Sequence, residues 1–139
     1  MNKSILDTDI LSEIIKRKNP TVAARATAYL GAWGRLTLTS ISVMEVVYGL
    51  RRKGRDDRVA LFEASLTQAE VLAFDEASGR LAGRIISDLE RRGRPVGMPD
   101  VMIAAIAINH ALPVVTGNVA HYEAIRDAGY LVGVENWRN

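Results

Sequence analysis

Val101–Ile108 is the longest unbroken apolar run in the chain, and Pro99 and Asp100 stand directly before it. Proline suits the first turn of a helix, where its missing N–H would have had no partner anyway. The helix that Pro99 opens extends to about Ala111. A helix that is apolar on every side is covered on every side, so this one belongs in the middle of the molecule. A membrane span needs roughly 20 apolar residues, and this run falls far short of that. It is a core helix, and the rest of the chain has to supply the elements that surround it.

Those elements read as short strands alternating with helices. Ser4-Ile5-Leu6, Leu36–Thr39, Glu70–Phe74, Pro113–Thr116 and Tyr130–Val134 are brief apolar or β-branched runs of strand type. Thr8 or Asp9 caps a helix to about Lys18. Pro20 opens another, which Gly34 ends. Ser40–Ser42 reads as a turn, followed by a helix over Val43–Arg52. Asp56 and Asp57 start a further helix, Glu76–Arg92 forms a long one, and Val119–Ala128 a short one. On the long helix, Gly79 and Gly83 would permit a close helix contact, at a cost in propensity. Strands and helices in alternation predict an α/β fold with a mainly parallel sheet of four or five strands. The chain has 139 residues, no linker and no internal repeat, which predicts one domain over 1–139.

The chain has no cysteine, which excludes disulfides, thiolate zinc sites and a cysteine nucleophile. The formal net charge of +2 permits a nucleic-acid partner without requiring one. The apolar stretch after Lys3 is broken at once by Asp7 and Asp9, so it cannot be a signal-peptide core. The expectation is a protein of the cytoplasm with no membrane contact.

Four polar residues share a position. Asp7 follows the first strand, Glu45 lies in the first turn of the helix after the second, Asp100 opens the central helix, and Asn118 follows the fourth strand. In an open parallel sheet, ligands bind at the carboxyl ends of the strands. Each acid alone is also explained as a helix cap: Ser42-x-x-Glu45 has the form of a capping box, and Asp7, Asp9 and Asp100 suit helix N-termini. Capping does not require the acids to share one sheet edge, however. Carboxylates gathered there repel one another until a divalent cation joins them. An all-oxygen donor set favours Mg²⁺ or Mn²⁺.

These residues also carry a family resemblance. Ile5-Leu6-Asp7-Thr8-Asp9-Ile10-Leu11-Ser12-Glu13, Ser40–Leu50 around Glu45, Pro99-Asp100-Val101-Met102-Ile103-Ala104-Ala105, Val115–Tyr122 and the ending Asn136-Trp137 together resemble the PIN-domain nucleases, and among them the VapC-type toxins of bacterial toxin–antitoxin pairs. Met98-Pro99 departs from the more usual glycine-containing lead-in. The resemblance implies a three-layer α/β/α domain. It implies a Mg²⁺- or Mn²⁺-dependent endoribonuclease, RNA as substrate, a homodimer and a VapB-type antitoxin. Residue by residue it makes Asp7, Glu45, Asp100 and Asn118 catalytic, with Asp7, Asp100 and Glu45 as the metal set. The neutral amide of Asn118 argues for one firmly held ion. Thr8, Ser42 and Thr116 are candidates to hydrogen-bond the acids.

Two basic groups, Arg51, Arg52 and Lys53 (with Arg55 and Arg58 beyond) and Arg91, Arg92 and Arg94, read either as an RNA-backbone track or as solvated helix ends. His110 is expected at a helix C-terminus and His121 at a helix start. Trp33 and Trp137 are expected as core or closing contacts, and a Tyr29, Leu30 and Trp33 face could serve a dimer or antitoxin groove. Three other functions compete: RNA maturation outside a toxin pair, a non-catalytic RNA- or protein-binding domain, and an aspartyl phosphatase starting from Asp7-Thr8-Asp9. The last lacks a lysine in the second half of the chain to partner a phosphoryl group.

Overall fold

Five short strands and seven α-helices alternate through residues 1–139, all of which the computed structural model describes. The strands are β1 (Ile5–Leu6), β2 (Thr37–Thr39), β3 (Glu70–Leu72), β4 (Val114–Val115) and β5 (Val134–Glu135). The helices are α1 (Thr8–Lys16), α2 (Pro20–Trp33), α3 (Ser40–Arg52), α4 (Asp56–Ser65), α5 (Glu76–Arg91), α6 (Met98–Asn109) and α7 (Val119–Asp127).

Successive strand residues point to opposite faces of a sheet, and two residues per strand suffice here to build two cores. Ile5 and Val114 face a core made with α5, α6 and α7, whereas Leu6 and Val115 face one made with α1, α2 and α3. The result is three layers, α/β/α. From Ile103 to Ala107 every residue of α6 is fully buried, as its all-round apolar character requires.

All the strand ladders are parallel, but they form two sheets rather than one. β1, β4 and β5 pair with Ile5 opposite Val114 and Val114 opposite Val134, and β2 pairs separately with β3. β1 runs beside β2 without a ladder between them. The join is made by Tyr29 of α2, whose hydroxyl accepts from Ser4 N at 3.2 Å and lies 3.2 Å from Ser4 O and 2.8 Å from Thr37 Oγ1. Tyr29 is therefore fully buried and is no part of a docking face; only Leu30 and Trp33 remain exposed there. Removing the hydroxyl leaves a buried amide without a partner. Tyr29→Phe is expected to lower unfolding free energy by about 1–3 kcal/mol, read from urea melts of the two proteins.

Several boundaries differ from the sequence expectation, each for a local reason. Helix α1 stops at Lys16 because Arg17 turns left-handed (φ 55°). Helix α3 starts at Ser40, not Val43, because the Thr39 hydroxyl accepts from Ser42 N at 3.2 Å. Ser42 is therefore inside the helix, no capping box exists, and Glu45 lies in the second turn. Strand β5 falls on Val134–Glu135, not Tyr130–Val134, because Tyr130 is drawn to α5 by Asp88. Gly79 and Gly83 make no close helix contact: a Cβ at Gly79 would approach only Phe74, at 3.9 Å, and one at Gly83 nothing within 4 Å.

Candidate active site at the strand ends

The site begins where β1 stops. Asp7 follows Leu6 and caps α1, and only 1% of it is exposed. Its Oδ1 accepts from Thr8 N at 2.8 Å. Its Oδ2 accepts from the Thr116 hydroxyl at 2.8 Å and from the Tyr122 hydroxyl at 3.2 Å. Burial pushes the Asp7 carboxyl up to about 7, and the nearby Asp100 charge adds to the rise, against the pull of the Thr116 and Thr8 donors. No lysine or arginine pairs with it. Tyr122, fully buried against the same carboxyl, is pushed upward by burial and by that charge.

Thr116 directly follows β4 and links two of the expected residues. It donates to Asp7 and accepts from Asn118 N at 2.9 Å. Asn118 occupies the N-cap position of α7 with an exposed side chain that makes no capping bond. Glu45 comes from α3. Its Oε1 accepts from the Thr8 hydroxyl at 2.6 Å, and Thr8 Oγ1 lies 2.9 Å from Ser42 Oγ. A carboxylate only accepts, so Thr8 spends its proton on Glu45 and receives one from Ser42. Thr8 and Thr116 thus hydrogen-bond acids directly, whereas Ser42, expected to do the same, reaches Glu45 only through Thr8.

Asp100, in the first turn of α6, has a side chain 15% exposed, and its Oδ2 lies 2.5 Å from Nδ1 of His121 in the first turn of α7. His121 was expected at a helix start, and its contact with Asp100 was not expected. Its spacing of three from Asn118 was the available signal, since that puts it one turn into the helix above the strand end. Asp9 is a further neighbour. Its Oδ2 accepts from Gly117 N at 2.9 Å and lies 3.4 Å from Nη2 of Arg138, whose Nε donates to Glu13 at 2.6 Å. Burial raises the Asp9 carboxyl, opposed by the Gly117 amide and by Arg138. A Cβ at Gly117 would lie 1.7 Å from Nη1 of Arg138 and 2.8 Å from Oδ2 of Asp9, so a side chain there would have to displace both groups. Nothing in the sequence marked Arg138.

As placed, no three acidic or histidine side chains surround one point closely enough to hold an ion. The donor chemistry nevertheless fits a hard divalent cation. Asp7 is a buried carboxyl raised by neighbouring negative charge and balanced by no basic side chain. Every nearby acid offers oxygen. A cation would lower the cost of ionising it.

The basic groups divide. A cavity of about 200 Å³ between α1, α3 and α4 is lined by Glu45 together with Lys16, Lys53, Arg55 and Arg58, which joins Lys53 and the two arginines beyond it to the site but not Arg51 or Arg52. Arg51 lies 3.5 Å from Asp56, and Arg55 donates twice to Asp57. In the second group Arg94 pairs with Asp127 at 2.8 Å and Arg91 lies 3.9 Å from Asp88, which leaves Arg92 as its unpaired member.

A family model described as PIN domain matches residues 4–126. The chain is 34% identical over 126 residues to a tRNA(fMet)-specific endonuclease VapC of Shigella flexneri, covering 90% of this chain and 93% of that protein. It is 33% identical over 138 residues to a protein of the same name from Salmonella typhimurium, covering 99% of each. Its structure resembles a chain in the crystal structure of DNA-bound VapBC from Salmonella typhimurium, with a TM-score of 0.82, 32% identity and 99% of each chain covered.

Proposed function

The chain belongs to the PIN domain family, and on that premise we propose that it is a Mg²⁺- or Mn²⁺-dependent endoribonuclease, the toxin of a VapB–VapC type pair. The observation that carries the reading is Asp7: a carboxyl buried at the strand ends, charge-coupled to Asp100 and matched by no basic side chain. Full-length likeness to relatives named as VapC ribonucleases supports the reaction class. Likeness to VapBC supports a VapB-type antitoxin as partner. A homodimer acting in the cytoplasm completes the proposal. No helix is long and apolar enough to cross a membrane.

The assignment makes Asp7 and Asp100 the residues that hold the ion, with Glu45 ligating it or orienting a water. Bound there, a divalent cation lowers the pKa of a water and withdraws charge from the phosphate. The chain's own residues do the remainder. Thr116 and Tyr122 fix the Asp7 carboxyl, and Thr8, itself held by Ser42, fixes Glu45. Asn118, exposed at the mouth, positions a water or the phosphate. Lys53 and Arg58 line the cavity that runs from Glu45 and hold RNA backbone by charge, with Arg52 beside them. Arg91 and Arg94, committed to acids of their own chain, contribute less to such a track.

The test is cleavage by the purified protein. tRNA(fMet) is the first substrate to assay, given the relatives' names. Cutting is expected with Mg²⁺ or Mn²⁺ and is expected to fall to background in EDTA. Undiminished cutting in EDTA overturns the metal requirement, and failure to cut any RNA overturns the ribonuclease reading.

A further inference from the structure

Of the acids at the strand ends, Asp100 and Glu45 are the most thinly held, with one side-chain partner each. Asp7 accepts from one amide and two hydroxyls, Asp9 from two amides beside an arginine, and Glu45 from a threonine. Asp100 has one side-chain partner, His121, at 2.5 Å from Oδ2. The two residues come from separate helices, α6 and α7, that start at the same edge of the sheet, so the contact depends on their packing and not on local spacing. Asp100 is mostly shielded, while His121 is half-exposed. The histidine therefore reaches in from the rim to the carboxylate.

We infer that His121 is the positioning residue for Asp100: its Nδ1–H ties down Oδ2 and leaves Oδ1 available to a divalent cation. This rests on the reading of Asp7 and Asp100 as the ion-holding pair. The chemistry is that of an outer partner that orients a metal ligand, whose loss commonly weakens metal binding by about 10- to 100-fold. The donating atom makes the inference specific. Nδ1 is the ring nitrogen nearer the backbone. An asparagine amide nitrogen takes its place, whereas a glutamine amide nitrogen extends to the place of Nε2. An asparagine should serve at position 121 and a glutamine should not.

The experiment is titration of the full-length protein with Mn²⁺, followed by calorimetry or by the loss of free-ion paramagnetic signal, without RNA. His121→Ala is expected to weaken Mn²⁺ binding about 10- to 100-fold. His121→Asn is expected to return it to within a few-fold of wild type, and His121→Gln to behave as the alanine variant. Metal-free melting temperatures report folding. If the alanine variant does not fold, the Asn and Gln variants decide. Wild-type affinity in His121→Ala, or equal weakening in all three variants, overturns the inference alone. A wild-type protein that takes up no Mn²⁺ overturns the ion site as well, so the two failures are distinct.

Discussion

Asp7→Asn is expected to reduce RNA cleavage by about 1,000-fold or more, equivalent to about 4 kcal/mol of transition-state stabilisation, in a protein that still folds. The substitution keeps the shape of the side chain and removes the charge. The asparagine carbonyl accepts from Thr8 N as Oδ1 does now. Its amide faces Thr116 and Tyr122, whose hydroxyl oxygens can accept as well as donate. The amide is thus satisfied with the bond direction reversed, at the cost of the acceptor that the Thr116 and Tyr122 hydroxyl protons have now. What is lost is the one buried carboxylate to which a cation would bind. Initial rates on a defined RNA, alongside circular-dichroism melts, separate loss of chemistry from loss of fold. Full cleavage by a folded Asp7→Asn protein would remove Asp7 from the mechanism.

In EDTA the wild-type protein is expected to lose about 4 kcal/mol of stability as pH rises from about 4 to about 8. The Asp7 carboxyl lies near 3.8 in an unfolded chain and is pushed up to about 7 in the folded one, by burial first and by Asp100 second. Between those values the folded protein holds a proton that the unfolded chain releases. Stability from this group is therefore complete below about pH 4 and is lost as pH climbs through 7. At about 1.36 kcal/mol per pKa unit, a rise of that size gives the figure stated. Asp9, also raised by burial, acts in the same direction. The exposed acids Asp57, Asp75 and Asp127 are held low by their hydrogen-bond partners, so their effects fall at more acid pH. Urea melts at pH 5 and pH 8 give the slope. Asp7→Asn should flatten most of it, and saturating Mg²⁺ should offset the loss at pH 8 by binding the ionised form. A wild-type slope unchanged by either treatment would show that Asp7 ionises without penalty.

Much of this architecture was legible in the sequence, and the reasons are local. The all-round apolar run of α6 could only be buried, Pro20 and Gly34 bracketed α2, and the alternation of strand and helix implied a parallel sheet. Where the reading missed, a single side chain outranked the pattern. The Thr39 hydroxyl drew the start of α3 back to Ser40 and dissolved an apparent capping box. Asp88 turned Tyr130 away from the sheet and delayed β5. The edge of the sheet that carries Asp7, Asp100 and Asn118 followed from topology alone. Of the partners, Thr116 was anticipated, but Tyr122, His121 and Arg138 were not. His121 meets Asp100 because two helices pack at a particular distance, and Arg138 reaches Asp9 across Gly117 from the far end of the chain. Spacing put His121 one turn above the strand end but did not encode its meeting with Asp100.

The missing ladder between β1 and β2 has a consequence for the site's mechanics. Proteins open in cooperative blocks whose borders follow weak hydrogen bonding, and here one border crosses the centre of the molecule. On one side, β1, β4 and β5 carry Asp7 and Asn118, with α6 adding Asp100. On the other, β2 leads into α3 and Glu45. Across it run a tyrosine hydroxyl, the Lys3–Glu70 ion pair, the chain Ser42–Thr8–Glu45 and the apolar core shared by Leu6, Leu38, Val46 and Val115. The spacing between Glu45 and the other acids is therefore set by side-chain links and shared core packing, not by a continuous strand ladder. Amide exchange should show Ser4 and its neighbours at this joint opening at a lower free energy than β4. Whatever pries the joint apart disarms the centre without touching an acid.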